Sequence, residues 1–272
     1  MQHVASRRNP LVATCRKLIR RTGSDLLLLD GLHLVSEALA SNIRLRQVII
    51  SIAALSRPEI RTLLEAFRTR NIKIATASAS VMGAISPVRS PSEIIAIAEA
   101  PAYSSDVLYA GRPLVVIATN TQDPGNIGAI IRVAEAGGAT GVIAAGSSAH
   151  PLGWKALRGS MGSALRLPFV VREEVSQAVA EARQRGCQIV ATVPRGGRSH
   201  VDVDLRRPTA IVIGGEGAGL DPSLVEAADV RVTIPMTYPV ESLNAAVAAA
   251  LLVYEARRQR EAAIEDLNAS RS

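Results

Sequence analysis

From residue 114 onward one unit recurs: a short apolar run, a loop rich in glycine or polar side chains, then a segment with helical spacing. The runs are Leu114-Val115-Val116-Ile117-Ala118, Gly141-Val142-Ile143-Ala144-Ala145, and the stretches 188–193, 209–214 and 230–234. A run without polar alternation suits a strand buried on both faces, as in a parallel sheet covered by helices. Strands alternating with helices give such a sheet, and its ligands bind at the carboxyl ends of the strands. The glycine-rich and polar loops of this chain fall at those ends. Composition agrees, since 48% of residues are hydrophobic and only 3% aromatic, so Val, Ile, Leu and Ala must build the core.

The first hundred residues read as a separate, smaller α/β unit. Arg7, Arg8, Arg16, Lys17, Arg20 and Arg21 all precede the first acid, Asp25. Leu11, Cys15, Leu18 and Ile19 recur at helical spacing, which puts the cations on the outer face of an amphipathic helix. That face either clamps phosphates or is simply solvated. Strands are expected at 26–29, 48–50, 72–75 and 94–98, helices at 32–40 and 58–70, and a turn-rich loop at 86–92. His33 reads as a helix-start or core residue, because no Cys, Ser or acid clusters with it. Residues 101–106 look like a linker, with a domain boundary within 101–112. A polar tail after Glu261 is expected to fray.

The net charge of +7 and a pI near 10.1 point to a polyanionic partner, nucleic acid before membrane. The two cysteines, Cys15 and Cys187, match no paired spacing, which implies a reduced, cytoplasmic setting and no zinc site. Residues 1–8 lack the apolar stretch of a signal peptide, and the longest apolar run, 245–254, is too short to span a bilayer. A soluble intracellular protein follows, with no membrane partner.

Three stretches carry chemistry. The first is Asp123-Pro124-Gly125-Asn126-Ile127-Gly128-Ala129-Ile130-Ile131-Arg132, opening a helix over 127–136 that Gly137-Gly138 stops. Asn126 is placed to cap that helix. Arg132 interrupts an apolar face and either pairs with Glu135 or faces an anion over a glycine-floored cleft. The second is Ile213-Gly214-Gly215-Glu216-Gly217-Ala218-Gly219-Leu220, four glycines around one acid directly after a buried strand. It is not a dinucleotide fingerprint, because Leu220 stands where the third glycine belongs, and it has no phosphate-binding lysine. The third is Pro235-Met236-Thr237-Tyr238-Pro239-Val240-Glu241-Ser242-Leu243-Asn244-Ala245-Ala246-Val247. Ser242 and Asn244 sit where a long helix begins, as caps or as ligand donors. The helix carries an apolar stripe (Leu243, Val247, Ala250, Leu251, Tyr254) for the sheet or for a second copy of the chain, and ends in Arg257, Arg258 and Arg260.

Taken in order, PGNIGAIIR, GGEGAGL and IPM…ESLNAAVA resemble the three signature motifs of the SpoU (TrmH-like) RNA 2′-O-ribose methyltransferases, of the SPOUT class. The resemblance spans about 114–258, and Leu157-Arg158-Gly159-Ser160-Met161-Gly162-Ser163 is similar to a further segment of that family. The N-terminal part, with Ser6 to Val12 and Asp30 to Val35, resembles the ribosomal-protein-like substrate-binding domain often fused ahead of it. The resemblance implies an RNA substrate-binding domain at 1–105 and a methyltransferase domain at 106–265. The latter would be a trefoil-knotted α/β fold with a mostly parallel sheet, acting as a homodimer through that domain. It implies S-adenosyl-L-methionine as donor among Thr192, Gly214, Gly215, Ile234, Met236 and Leu243. Asn126 and Arg132 would act at the ribose, with Glu216, Ser242 and Asn244 shaping the site, and no metal is implied.

The residue types suit that chemistry. A ribose hydroxyl is a poor nucleophile and the donor's sulfonium is already activated, so positioning and alkoxide stabilisation are the main tasks. Arg132 would be an anion stabiliser, or a general base if an RNA phosphate assists it. Ser242 and the helix start would offer hydrogen bonds to the developing charge. The expected substrate is ribosomal RNA before transfer RNA. A catalytically silent RNA-binding or ribosome-assembly protein of the same fold is the alternative. A nucleotide-binding enzyme with a small-molecule substrate fits the basic N-terminus poorly.

Overall fold

The computed structural model describes residues 2–217 and 219–269, with side chains up to residue 263, so Ala218 of the glycine loop lies outside the described residues. The chain divides into two compact units: Met1–Ala102 with Leu152–Arg166, and Tyr103–Pro151 with Leu167–Ser272.

In the first unit, β1 (Gln2–Val4), α1 (Pro10–Arg20), β2 (Leu26–Asp30), α2 (Leu32–Ala40), β3 (Leu45–Ser51), α3 (Pro58–Thr69), β4 (Lys73–Ala77), α4 (Ala79–Ile85) and β5 (Ile94–Glu99) follow one another. The sheet order is β1-β4-β3-β5-β2. β1, β4 and β3 run parallel, and β5 is antiparallel to both β3 and β2. The Asn9 side chain caps α1 by accepting from the Leu11 N–H, with Pro10 in the first turn. Val12 and Cys15 are buried from α1 into a core with Leu28, Ile49, Val81 and Met82, while Arg16, Lys17 and Arg20 are exposed. Burial pushes the Cys15 thiol up to about 12, so it stays protonated.

The second unit opens with α5 (Ser105–Leu108), β6 (Leu114–Thr119), α6 (Pro124–Ala136) and β7 (Gly141–Ala145). The chain next forms α7 (Trp154–Ser160), which clusters with the first unit, then returns as β8 (Phe169–Arg172), α8 (Val175–Gln184), β9 (Gln188–Thr192) and β10 (Arg198–Ser199). It ends with β11 (Thr209–Ile213), α9 (Pro222–Ala227), β12 (Val230–Thr233) and α10 (Ala245–Ala269). The seven strands lie in the order β10-β12-β9-β11-β6-β7-β8, and every pairing is parallel. β6, β7 and β11 are buried along their whole length, as their unbroken apolar runs require. β11 inserts between β9 and β6, which gathers the loops that follow β6, β9, β11 and β12 on one end of the sheet.

Several elements differ from expectation. β1, α4 and α7 emerge where no element was expected. The frayed tail expected after Glu261 is helical backbone to Ala269. The α10 stripe does not pack on the sheet: Val247, Leu251 and Tyr254 are 47%, 40% and 48% exposed. An offset face, with Ala249, Leu252, Val253 and Ala256, is buried instead. Gly137 permits the close approach of α6 and α10, because a Cβ there would strike the Val253 side chain.

Candidate active site

The loop after β11 is seated on the end of β6. The Thr119 hydroxyl, fully buried, donates to the Ile213 carbonyl at 3.1 Å. A Cβ on Gly215 would lie 2.8 Å from the Thr119 carbonyl oxygen and closer still to that of Asn120, so only glycine fits there. The loop then folds back on itself through a bridge between Gly215 and Gly219. This tight return holds Glu216 above the start of α6.

Glu216 begins a chain of side-chain hydrogen bonds. Asn126 Nδ2 donates to Glu216 Oε1 at 2.5 Å, and the Gln122 N–H donates to Oε2 at 3.2 Å. Asn244 Nδ2 donates to Asn126 Oδ1 at 2.9 Å. Asn244 Oδ1 in turn accepts from the N–H groups of Ala246 and Val247 at 2.9 and 3.3 Å. Both amide orientations are dictated by their neighbours, because a carboxylate only accepts and a backbone N–H only donates. All three motifs are thereby joined, although Asn126 and Asn244 are 118 residues apart.

Two expectations are corrected here. Asn126 does not cap α6; Asp123 does, accepting from the Gly125 N–H at 2.6 Å, with Pro124 next. A proline-led first turn leaves Asn126 inside the helix with its amide free for the network. The start of α10 does not offer a set of open N–H groups either. Asn244 takes those of Ala246 and Val247 with its side chain and that of Ala248 with its main-chain carbonyl.

Beside this chain of bonds lies a cavity of about 710 Å³ at the carboxyl ends of β9, β11 and β12. Thr192, Gly214, Gly215, Ile234, Met236 and Leu243 all line it, as do Glu216, Ser242 and Asn244. The Thr192 hydroxyl is committed to the Val212 carbonyl at 3.0 Å, so Thr192 shapes the wall by holding β9 to β11. Arg132 is apart from the rest. It does not line this cavity, it is exposed on α6, and no hydrogen bond or ion pair ties it to the described residues, Glu135 included. Two charged lining residues were not singled out from the sequence, Arg195 and Glu241. The signal for Arg195 was the Gly196-Gly197 pair just after a buried strand; Glu241 sat unremarked inside the third motif. Among the described residues, no three His, Cys, Asp or Glu side chains cluster as metal ligands, and no helix is long and apolar enough to cross a membrane.

The wall suits a nucleoside-bearing cofactor. One side is bare backbone: Gly217 and Gly219 line the cavity, and a Cβ on either would meet nothing within 4 Å. The other is aliphatic, from Ile234, Met236 and Leu243. A heterocycle can lie between such walls, and the volume falls in the range of ligand pockets.

Comparison with known proteins agrees. The sequence model for the SpoU rRNA Methylase family matches residues 113–254, and that for RNA 2′-O ribose methyltransferase substrate binding matches 28–104. The 23S rRNA (guanosine(2553)-2′-O)-methyltransferase RlmP of Bacillus subtilis is 30% identical over 260 residues, 94% of this chain and 100% of the relative. A 23S rRNA (uridine(2479)-2′-O)-methyltransferase of Streptomyces viridochromogenes is 38% identical over 206 residues, 74% of this chain and 71% of the relative. Among solved structures, the SpoU methyltransferase AviRb of S. viridochromogenes, in complex with the cofactor AdoMet, aligns with a TM-score of 0.81. It is 31% identical, covering 93% of this chain and 100% of that one. An AdoMet-bound rRNA methyltransferase from Sinorhizobium meliloti aligns equally well, with a TM-score of 0.81 at 28% identity over 94% of this chain and 97% of that one. By the order of its motifs, its parallel sheet and these likenesses, this chain belongs to the SpoU rRNA methylase family.

Proposed function

We propose that this protein transfers a methyl group from S-adenosylmethionine to a ribose 2′-hydroxyl of ribosomal RNA. The observation that carries the reading is the Glu216–Asn126–Asn244 chain at the glycine-walled cavity, which joins three distant motifs in one site. S-adenosylmethionine is the methyl donor, and when bound it supplies a methyl group activated by its sulfonium. Thr192, Gly214, Gly215, Ile234, Met236 and Leu243 would hold it. The remaining work belongs to the protein. Asn126, fixed by a carboxylate on one side and an amide on the other, orients the ribose. Ser242, exposed beside the cavity, donates to the oxygen as charge develops on it. Arg132 would stabilise the alkoxide as a cation, or act as a general base if an RNA phosphate assists it. Its guanidinium, tied to nothing among the described residues, is available to RNA.

Ribosomal RNA is favoured because the relatives named above are 23S rRNA methyltransferases. Residues 1–105 would select that RNA, supported by the substrate-binding match over 28–104, the exposed cations of α1 and the net charge of +7. Residues 106–265 would form the methyltransferase domain, tied in a trefoil knot, for which the insertion of β11 between β9 and β6 is the support. The exposed Val247–Leu251–Tyr254 stripe supports a homodimer. A cytoplasmic location fits the RNA substrate and the two reduced, buried cysteines.

The test is methyl transfer from labelled donor to total RNA, followed by digestion to nucleosides. The expected product is a 2′-O-methylated nucleoside from the ribosomal fraction. In the same assay Arg132→Ala should abolish transfer while S-adenosylhomocysteine still binds. Near-wild-type turnover of that variant would overturn the role given to Arg132. No incorporation by the wild type into any RNA pool would favour the silent RNA-binding reading.

A further inference from the structure

Two charged side chains line the cavity without belonging to the hydrogen-bonded chain. Arg195 stands on the loop leaving the carboxyl end of β9, and Glu241 on the loop that leads into α10. Both are exposed, and neither has a hydrogen bond or ion pair among the described residues. Of the other polar side chains of the wall, Glu216 and Asn244 are committed to Asn126 and the Thr192 hydroxyl to Val212, while Ser242 carries no charge. The base of the Arg195 loop is fixed. The Gly197 N–H donates to the Thr233 hydroxyl at 2.9 Å, and a Cβ on Gly197 would lie 2.9 Å from the Arg231 carbonyl oxygen. A cation and an anion therefore open into one cavity without neutralising each other. That arrangement matches a ligand carrying both signs.

We propose that Arg195 binds the carboxylate, and Glu241 the ammonium, of the amino-acid end of S-adenosylmethionine. This rests on the donor reading above and extends it to the half of the donor that backbone and aliphatic walls cannot recognise. Each contact is a charge-assisted hydrogen bond, the stronger kind. Neither residue touches the transferred methyl group, so both are positioning residues.

The experiment is calorimetric titration of the full-length protein with two ligands. S-adenosylhomocysteine has the amino-acid end, and 5′-methylthioadenosine keeps the nucleoside and the thioether without it. Arg195→Ala and Glu241→Gln should each weaken the first by roughly tenfold or more. Binding of the second should stay at the wild-type value, which also reports that the cavity is intact. Equal weakening of both ligands, or of neither, would overturn the proposal. So would an Arg195→Ala variant that keeps its affinity for S-adenosylhomocysteine and loses affinity for RNA. If the wild type bound neither ligand, the donor reading itself would fail and this assignment with it.

Discussion

Asn126 is held at both ends, and that decides how its loss would read. Its amide joins a carboxylate from the glycine loop to the residue that caps α10. Asn126→Ala cuts both bonds but leaves Glu216 and Asn244 exposed to water, so the stability cost should stay near or below about 1 kcal/mol. Methyl transfer should fall far more, by roughly a hundredfold on the scale of losing one preorganised donor. Thermal melting beside kcat measures both, and a large drop in Tm with kcat intact would reduce Asn126 to a structural link. Gly215 gives the opposite pattern. A Cβ there collides with the main chain at Thr119 and Asn120, and overpacking of this kind costs about 1–3 kcal/mol. Gly215→Ala should lower Tm and donor affinity together, and unchanged binding by titration would contradict the packing account. The residue types of this site were readable in order along the chain, but their bonds were not. Asn126 looked like a helix cap because Asx residues favour that position. The proline at 124 moves the cap back to Asp123, and only the fold brings Glu216 and Asn244 within reach.

At the scale of elements, α10 does three things with three faces. Its buried face packs on α6 and the sheet, a second face carries the exposed Val247–Leu251–Tyr254 stripe, and its last described turns are anchored by polar groups. Arg260 donates to the carbonyls of Leu205, Arg112, Pro113 and Arg207 at 3.0, 3.0, 2.9 and 2.8 Å. Burial pushes its guanidinium down to about 10, still a cation at neutral pH. Glu255 accepts from Arg258 at 2.9 and 2.7 Å and from Gln259 at 2.8 Å, and Gln259 reaches on to Val203 and Leu205. The Arg258 guanidinium, then Gln259, hold the Glu255 carboxyl below its ordinary range. A lowered carboxyl pKa stabilises the fold above the unfolded value and is lost as pH falls through the folded one. Glu255→Gln should therefore lower Tm at pH 7 and flatten its decline on acidification below about pH 5. Parallel acid slopes for both proteins would remove that role. Leu251→Glu should convert a dimer to a monomer in sedimentation, and an unchanged mass would dismiss the stripe as an interface. The central parallel strands β6, β7 and β11 were legible because they are buried along their length and almost wholly apolar. β1 has three residues and α4 seven, too few to display a period, and tertiary partners create them. In α7, Gly159 and Ser160 disguise a helix whose Arg158 reaches 3.8 Å from the buried Asp30, and whose following turn places the Met161 carbonyl 3.1 Å from His33 Nε2.

At the scale of the whole molecule, the cavity lies in one compact unit and the exposed cations of α1 lie in the other. The cavity is built by the loops after β9, β11 and β12 and the entry to α10, so its assembly depends on β11 reaching the centre of the sheet. The first unit contributes the exposed cations of α1, and binding through phosphates should be strongly salt-dependent. RNA affinity of the full-length protein should fall about linearly in log–log form with salt, and a flat response would argue against a phosphate-led contact. The central claim is that the three joined motifs methylate a ribose in ribosomal RNA. Its most direct measurement is a map of ribose methylation across RNA from cells with and without the gene, with Arg132→Ala restored in a third strain. The expected result is a 2′-O-methyl mark on ribosomal RNA that vanishes without the gene and stays absent with the Arg132→Ala variant. Identical maps in all three strains, or a lost mark lying on a base rather than a ribose, would contradict it.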